Sequence, residues 1–455
     1  MKVMAKTTRQ LERYWWFFTL LLLWPTLCQS AEIPSPVPQL SLQVTEPRGP
    51  VLPLDEAIQI ALDNHPAISA ARERIGAQQA VLGQQMAAYY PNISMSNFYR
   101  TGTETGNTTG VAGVGFDTIL SQTNLNMILY NFGKREGNVQ SARETVSATA
   151  FNYKTTVDSV ILGVKQSYYF YLQAKAIVQV RVETVKNRDL LTRQAQGFFE
   201  VGTRARIDVA RAEANLYLSQ ADLIAAQNAQ AIAWVVLKNA MGLRDLPVRP
   251  LTEEVTITAI PYKLDEAREI AYASRPELKS FEAQKRAQDQ NIAVARRSHL
   301  PDIIFDSNYR RSNTSVVTSN NPSTFPLPGG WQVQVTLAVP IFDGFRTTNR
   351  VEETLRTYYT INAQEEQQRQ QVALDVEQAY LRLVELQERI KANKAAADAA
   401  KENLDLANGR YQVGVGNIIE VTDAQNTYTD AQTTYVRALY DYKIADAQLT
   451  RAIGQ

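Results

Sequence analysis

The sequence predicts a mixed α and β fold built from an internal tandem repeat, with two strands and a pair of long helices in each copy. Three observations carry this. Segments of the first half recur in order in the second half. Stretches before and after two polar loops alternate apolar and polar residues. Two glycine-punctuated passages open helical runs too long for a compact domain.

Composition narrows the class. A chain of 455 residues suggests more than one domain. A hydrophobic content of 45% and a mean hydropathy of -0.27 exclude a polytopic helical membrane protein but leave a β-barrel open, because barrel strands give weak hydropathy signals. The formal net charge of +1 offers no bulk electrostatic argument for nucleic acid. Cys28 is the single cysteine, which excludes an intrachain disulfide and a thiolate metal cluster. His65 and His299 both stand at proline-containing breaks and read as loop histidines rather than metal ligands. With no Cys/His pair, no metal-ligand spacing and no phosphate-cradling glycine loop, enzyme classes find no footing, and no cofactor is expected.

Residues 1–30 read as an export signal. Lys2, Lys6, Arg9 and Arg13 give a basic start, Trp15 to Trp24 an apolar run too short to span a bilayer, and Cys28-Gln29-Ser30 small residues for cleavage. Cys28 could instead carry lipid, but the bulky Leu27 before it argues against that. Residues 31–53, rich in proline, read as an extended or disordered lead-in. The first repeat then covers 54–243, a linker 244–261, and the second repeat 262–455. Leu54-Asp55-Glu56-Ala57 matches Leu264-Asp265-Glu266-Ala267, Asn64-His65-Pro66 matches Ser274-Arg275-Pro276, and Ala240-Met241-Gly242 matches Ala452-Ile453-Gly454.

Within each copy, a helix runs to Pro91 or Pro301 and strands follow. Ile93, Met95 and Tyr99 alternate with Ser94 and Ser96, and Ile303, Phe305 and Tyr309 repeat that face. Leu125, Met127 and Leu129 correspond to Val333, Val335, Leu337, Val339 and Ile341, and the intervening stretches 101–121 and 311–330 read as exposed loops. After Gly133 and Gly344 come helices over about Lys134–Phe199 and Arg346–Tyr411, each roughly 100 Å long at 1.5 Å per residue. Second helices return over about Ile207–Met241 and Ile418–Ile453. Their apolar stripes are narrow and interrupted by Gln and Lys, so they need partner helices along their length.

The turn between each helix pair is the most telling repeat. Phe199-Glu200-Val201-Gly202 and Tyr411-Gln412-Val413-Gly414 end the long helices with glycine, and an apolar residue and an acid open the next helix. Glu420 and Asp423, three apart, share one helix face; read on their own, they are N-terminal acids that offset the helix dipole. Asp208 has Arg204 and Arg211 beside it as surface partners. Tyr89, Tyr90, Tyr99, Tyr309 and Trp331 suit either a membrane-interface aromatic belt or ordinary strand packing.

Four strands cannot close a barrel, and two are left as edges, which points to strands pooled between subunits. In these features the mature chain, Leu54 to Gln455, resembles the TolC-like outer-membrane efflux protein family. The resemblance rests on both Leu-Asp-Glu-Ala starts, on the passages Tyr130-Asn131-Phe132-Gly133-Lys134-Arg135 and Ile341-Phe342-Asp343-Gly344-Phe345-Arg346, and on both Val-Gly turns. It implies a homotrimer with a shared twelve-stranded barrel in the outer membrane of a Gram-negative bacterium, continued by a long α-helical barrel in the periplasm. It further implies passive export, in drug efflux or type I secretion, of cargo handed over by an inner-membrane transporter and a periplasmic adaptor. The Val-Gly turns would lie at the periplasmic tip, placing Tyr411, Glu420 and Asp423 at a pore constriction with Asp208 nearby, and Gly202, Gly414 and Gly416 in the turns. Members of the best-studied type carry an arginine shortly after the second Val-Gly, where this chain has Gly416. Arg204, Arg206 and Arg211 of the first turn become the candidate latch residues. A periplasmic coiled-coil spacer is the competing class, but it has no use for a lipid-facing β-face.

Overall fold

A computed structural model of the chain describes residues 49–104, 114–253, 256–257, 260–318 and 321–455. The expected export segment with Cys28, and the lead-in up to residue 48, lie outside the described residues. The elements run α1 (Leu54–Asn64), α2 (Pro66–Met86), a 3-10 turn (Ala87–Tyr89), β1 (Asn92–Glu104), β2 (Val114–Tyr130), α3 (Lys134–Glu200) and α4 (Arg206–Ala240). They continue with α5 (Leu264–Ser274), α6 (Pro276–Arg297), β3 (Asp302–Thr318), β4 (Asn321–Ala338), α7 (Arg346–Gln412) and α8 (Ile418–Ala452). The order is the same twice, and α3 and α7 both have 67 residues while α4 and α8 both have 35.

Local chemistry sets the boundaries. Pro66 and Pro276 open α2 and α6, where a missing N–H costs nothing. His65, expected as a loop histidine, caps α2: its Nδ1 accepts from the Ala67 N–H at 3.2 Å. Its counterpart Arg275 is only 2% exposed. Arg275 donates from Nε to the Ala452 carbonyl at 2.9 Å and pairs with Asp375 at 3.1 Å, fastening the α5–α6 corner to α7 and the end of α8. The end of the proline-rich lead-in is fastened too. Leu52 is fully buried, bridges Leu251, and accepts from the Tyr168 hydroxyl at 2.9 Å, so this part of the lead-in packs on the body.

The four strands form one antiparallel sheet in the order β1-β2-β3-β4, leaving one side of β1 and one of β4 unpaired. At 13, 17, 17 and 18 residues they run well into the stretches expected as loops. Alternation of apolar residues reports only where one face needs to be apolar. Once the hairpins are in register, Thr, Ser and Asn pairs extend the backbone ladder without it.

Residues directly opposite each other share a face. Ile93 sits opposite Leu125, Met127 opposite Phe305, Phe305 opposite Val335, and Tyr309 opposite Trp331, making one face apolar. The other face carries Ser94, Asn124, Asn308 and Gln332 in one row and Asn92, Asn126, Asp306 and Gln334 in another. There Asn126 donates to Asp306 at 2.6 Å and Gln334 to Thr336 at 2.8 Å. Tyr99, Tyr309 and Trp331 lie on the apolar face and are exposed, as an aromatic belt requires. No helix among the described residues is long and apolar enough to cross a membrane.

The corners from strand to long helix use two consecutive left-handed residues, Phe132-Gly133 and Gly344-Phe345. Asn131 Oδ1 accepts from the Arg135 N–H at 3.2 Å and Asp343 Oδ2 from the Thr347 N–H at 2.9 Å, so the two corners superpose with Gly133 at the place of Phe345. The glycines that mark the passages in the sequence are thus one residue out of step.

Three apolar clusters hold the helices. One gathers Leu52, Ile68, Val164, Tyr168 and Leu237 of the first copy, and a second Leu278, Val376, Leu383, Tyr442 and Leu449 of the other. The third, at the turns, draws on both helical hairpins. Between the clusters the α3–α8 contact is polar. Thr184 and Thr429 share a buried hydroxyl hydrogen bond of 3.1 Å, Gln173 donates to Asp441 at 3.0 Å, and Arg188 donates to Asn426 at 2.6 Å.

Candidate functional site at the hairpin tip

Both turns are built alike. The Gly202 N–H bonds the Phe199 carbonyl at 2.9 Å and the Thr203 N–H the Phe198 carbonyl at 2.9 Å; in the second turn Gly414 bonds Tyr411 at 3.1 Å and Val415 bonds Arg410 at 3.1 Å. Gly202 (φ 72) and Gly414 (φ 83) take the left-handed conformation that closes a helix this way. Gly416 is glycine for another reason. A Cβ there would lie 2.8 Å from the Tyr411 nitrogen and 2.9 Å from the Arg410 carbonyl carbon. Asn417 then caps α8, accepting from the Ile419 N–H at 3.1 Å.

A guanidinium reaches this turn from the other hairpin. Arg204 donates through one terminal nitrogen to the Gly414 carbonyl at 3.1 Å and the Gly416 carbonyl at 2.7 Å. The same guanidinium stands 5.4 Å from the Tyr411 ring centroid, a cation–π distance. Of the three expected latch residues, Arg204 makes the cross-hairpin contacts. Arg206 and Arg211 are exposed and make no ion pair within the described residues.

Tyr411 is fully buried and packs edge-on against Phe198 with ring centroids 5.6 Å apart, among Leu404, Ala407, Ile418 and Val421. Burial pushes its hydroxyl pKa up, the Asp208 charge adds to that, and Arg204 opposes it. Its hydroxyl has no hydrogen-bond partner among the described residues. Glu420 and Asp423 are exposed on α8, at the border of the buried stripe that holds Val421 and Ala424. Glu420 pairs with Arg410 of its own hairpin at 3.0 Å, a contact that sequence reasoning missed. The glycine-closed turn brings the two together across ten positions, and only the folded turn reveals it. Asp208 is half-buried and, among the described residues, joins neither Arg204 nor Arg211 in an ion pair.

The tip therefore presents exposed carboxylates on one hairpin, and an arginine from the other hairpin holding the turn that precedes them. The family model for outer membrane efflux proteins matches this chain twice, over residues 57–243 and 267–455. The chain belongs to the outer membrane efflux protein family. It is an outer-membrane efflux channel that extends into the periplasm, and the family's role is transport rather than catalysis. Outer membrane protein TolC of Vibrio cholerae is 26% identical over 408 residues, covering 88% of this chain and 90% of that protein. Protein CyaE of Bordetella pertussis is 26% identical over 401 residues, covering 83% of this chain and 78% of that protein. Among solved structures, CusC has the same fold, with a TM-score of 0.75 at 19% identity over 88% of this chain and 92% of that one.

Proposed function

We propose that three copies of this chain close a twelve-stranded barrel in the outer membrane. Their helical hairpins then form a periplasmic tunnel that passively exports drugs or proteins, received from an inner-membrane transporter through a periplasmic adaptor protein. The observation that carries the reading is the four-stranded sheet with one apolar face and two unpaired edges. Pooling strands between subunits removes the edges, and the apolar face suits lipid. The same face argues against a periplasmic spacer. The two matching halves are read as structural repeats over 54–243 and 262–455, joined by a linker over 244–261.

The tip would be the gate. Around a three-fold axis Glu420 and Asp423 supply six carboxylates, those of Glu420 paired with Arg410, and the remaining negative charge forms an acidic ring that draws cations to the pore. Arg204, bonded across the hairpins, holds the turn beneath it, with Arg206 and Arg211 free to meet acids of a neighbouring subunit. The test is planar-bilayer recording of a Glu420→Ala, Asp423→Ala double variant. Loss of cation selectivity and of block by trivalent cations is expected, and unchanged values of both would sink the ring.

A further inference from the structure

The corner that follows β2 is fastened within the protomer. Lys134 donates to the Leu300 carbonyl at 3.0 Å and pairs with Asp302 at 2.8 Å, while Arg297 donates to the Gly133 carbonyl at 3.0 Å. The corner that follows β4 has the same backbone, with Arg346 at the place of Lys134. Among the described residues its own Asp343–Thr347 bonds and the edge-on Phe342–Phe345 contact hold it, without a counterpart to the Lys134 and Arg297 bonds. Arg346 is exposed; its charge acts on the nearby Asp343, but its side chain makes no hydrogen bond or close ion pair within the described residues. Ile341, Phe342 and Phe345 are 96%, 75% and 66% exposed. They border an open groove of about 810 Å³ that is apolar on this side.

We propose that this corner seats on the Tyr89–Tyr90 corner of a second copy, with Arg346 donating to the main-chain carbonyl of Tyr90 of the partner subunit. The inference rests on the three-fold reading and adds the residues and register of the contact. The repeat supplies the argument. Leu300 and Asp302 correspond to Tyr90 and Asn92, which stand exposed at the opposite edge of the sheet, with Tyr90 71% exposed. β4 runs toward the helices and β1 away from them, so antiparallel pairing of β4 with a neighbouring β1 brings the two corners together. Within the protomer Leu125 faces Ser307 and Met127 faces Phe305. Asn92 pairs with Asn126 as Asp302 pairs with Ala338, which fixes the correspondence between the hairpins. Transferred to the open edges, that register sets Leu337 opposite Asn97 of the partner subunit and Val339 opposite the partner's Met95. All four belong to the apolar-face series, and a slip of one residue would break that parity.

The chemistry of the two contacts differs. The acid and the base of the internal contact, Asp302 and Arg297, have Asn92 and Ala87 as counterparts. The contact between subunits is therefore aromatic where the internal one is ionic, with Phe342 and Phe345 meeting the partner's Tyr89 and Tyr90. The subunit contact should then hold at high salt, which screens exposed ion pairs and leaves apolar contacts in place.

The experiment uses the full chain, with Cys28→Ser, purified in detergent. Oxidised Asn97→Cys, Leu337→Cys protein is expected to give reductant-sensitive covalent trimers after full denaturation, whereas Asn97→Cys with Thr336→Cys, on opposite faces, is expected to give none. Ile341→Ala with Phe342→Ala, and separately Arg346→Leu, are expected to lose the unheated gel-resistant trimer at temperatures where the unmodified protein keeps it. Arg346→Lys, which restores the group used inside the protomer, is expected to retain it. A monomeric mass by light scattering for the unmodified protein would overturn the three-fold reading itself. A trimeric mass with crosslinking only at a shifted pair would overturn the register. Trimers indifferent to both the Ile341/Phe342 and the Arg346→Leu changes, at low and high salt, would overturn the corner contact.

Discussion

Replacing Arg204 by alanine removes the bridge between the two turns of the tip. Two charge-assisted hydrogen bonds to the Gly414 and Gly416 carbonyls disappear, together with the contact over the Tyr411 ring. At a half-exposed site each hydrogen bond contributes about 1 kcal/mol and the cation–π contact about 0.5–1 kcal/mol, or about 2–3 kcal/mol for each protomer. At a factor of ten for every 1.4 kcal/mol, the balance between tethered and released turns shifts roughly 30- to 150-fold. No neighbour replaces the lost contact, because Arg410 is already paired with Glu420 inside its own hairpin. Single-channel recording of the purified protein should then show a larger resting conductance and more frequent openings. Arg204→Lys, which keeps the charge but not the planar fork, should fall between the two. Resting conductance equal to the unmodified protein in Arg204→Ala would refute the assignment of the bridge.

Four changes at three further positions address stability, read as denaturant midpoints. Arg275→Ala frees the Ala452 carbonyl and removes the cation beside Asp375, which is half-buried and keeps a hydrogen bond from Gln371 at 2.8 Å, and should cost about 2–3 kcal/mol. Asp158 is held above its usual pKa, first by burial and then by Glu277. The folded chain thus holds that proton more tightly than the unfolded one, and stability falls as pH rises from about 4 through the raised value. Asp158→Asn should raise stability at neutral pH and flatten that decline. Tyr411→Phe removes only a hydroxyl without a partner and should leave the midpoint nearly unchanged, while Tyr411→Ala should cost about 3–5 kcal/mol through the cavity it opens.

The helices were legible because their punctuation is local. Pro66, Pro276 and the Val-Gly turns mark ends whose backbone demands only a few residue types can meet, and the long helices fall within a residue or two of their expected limits. The strands were legible only where one face alternates apolar residues, so their outer halves passed for loops. The corner glycines misaligned because two left-handed positions stand side by side and glycine serves at either. At the tip, Arg204 was legible as a cation beside a turn. Its acceptors are main-chain carbonyls, which carry no signature in a sequence. The Arg410–Glu420 pair escaped for a related reason, since its partners meet only after the turn closes. Arg275 gave no sign of burial because its partners, the Ala452 carbonyl and Asp375, lie 177 and 100 positions away in the chain.

The polar contact between α3 and α8 has a mechanical consequence. Thr429 and Thr433 are both buried, one helical turn apart, and Thr184 meets the first of them. An axial step of one turn, about 5.4 Å, would bring the second hydroxyl to the place of the first. The Gln173–Asp441 and Arg188–Asn426 bonds have no such second place, so the same step breaks them, and water can take over those partners during the passage. The alignment of the hairpins is thus set by these two bonds together with the apolar packing at the two ends, where Tyr440 and the tip cluster act as detents. Releasing the tip detent leaves a shaft held mainly by bonds that water can replace, while each hairpin stays stiff along its own length.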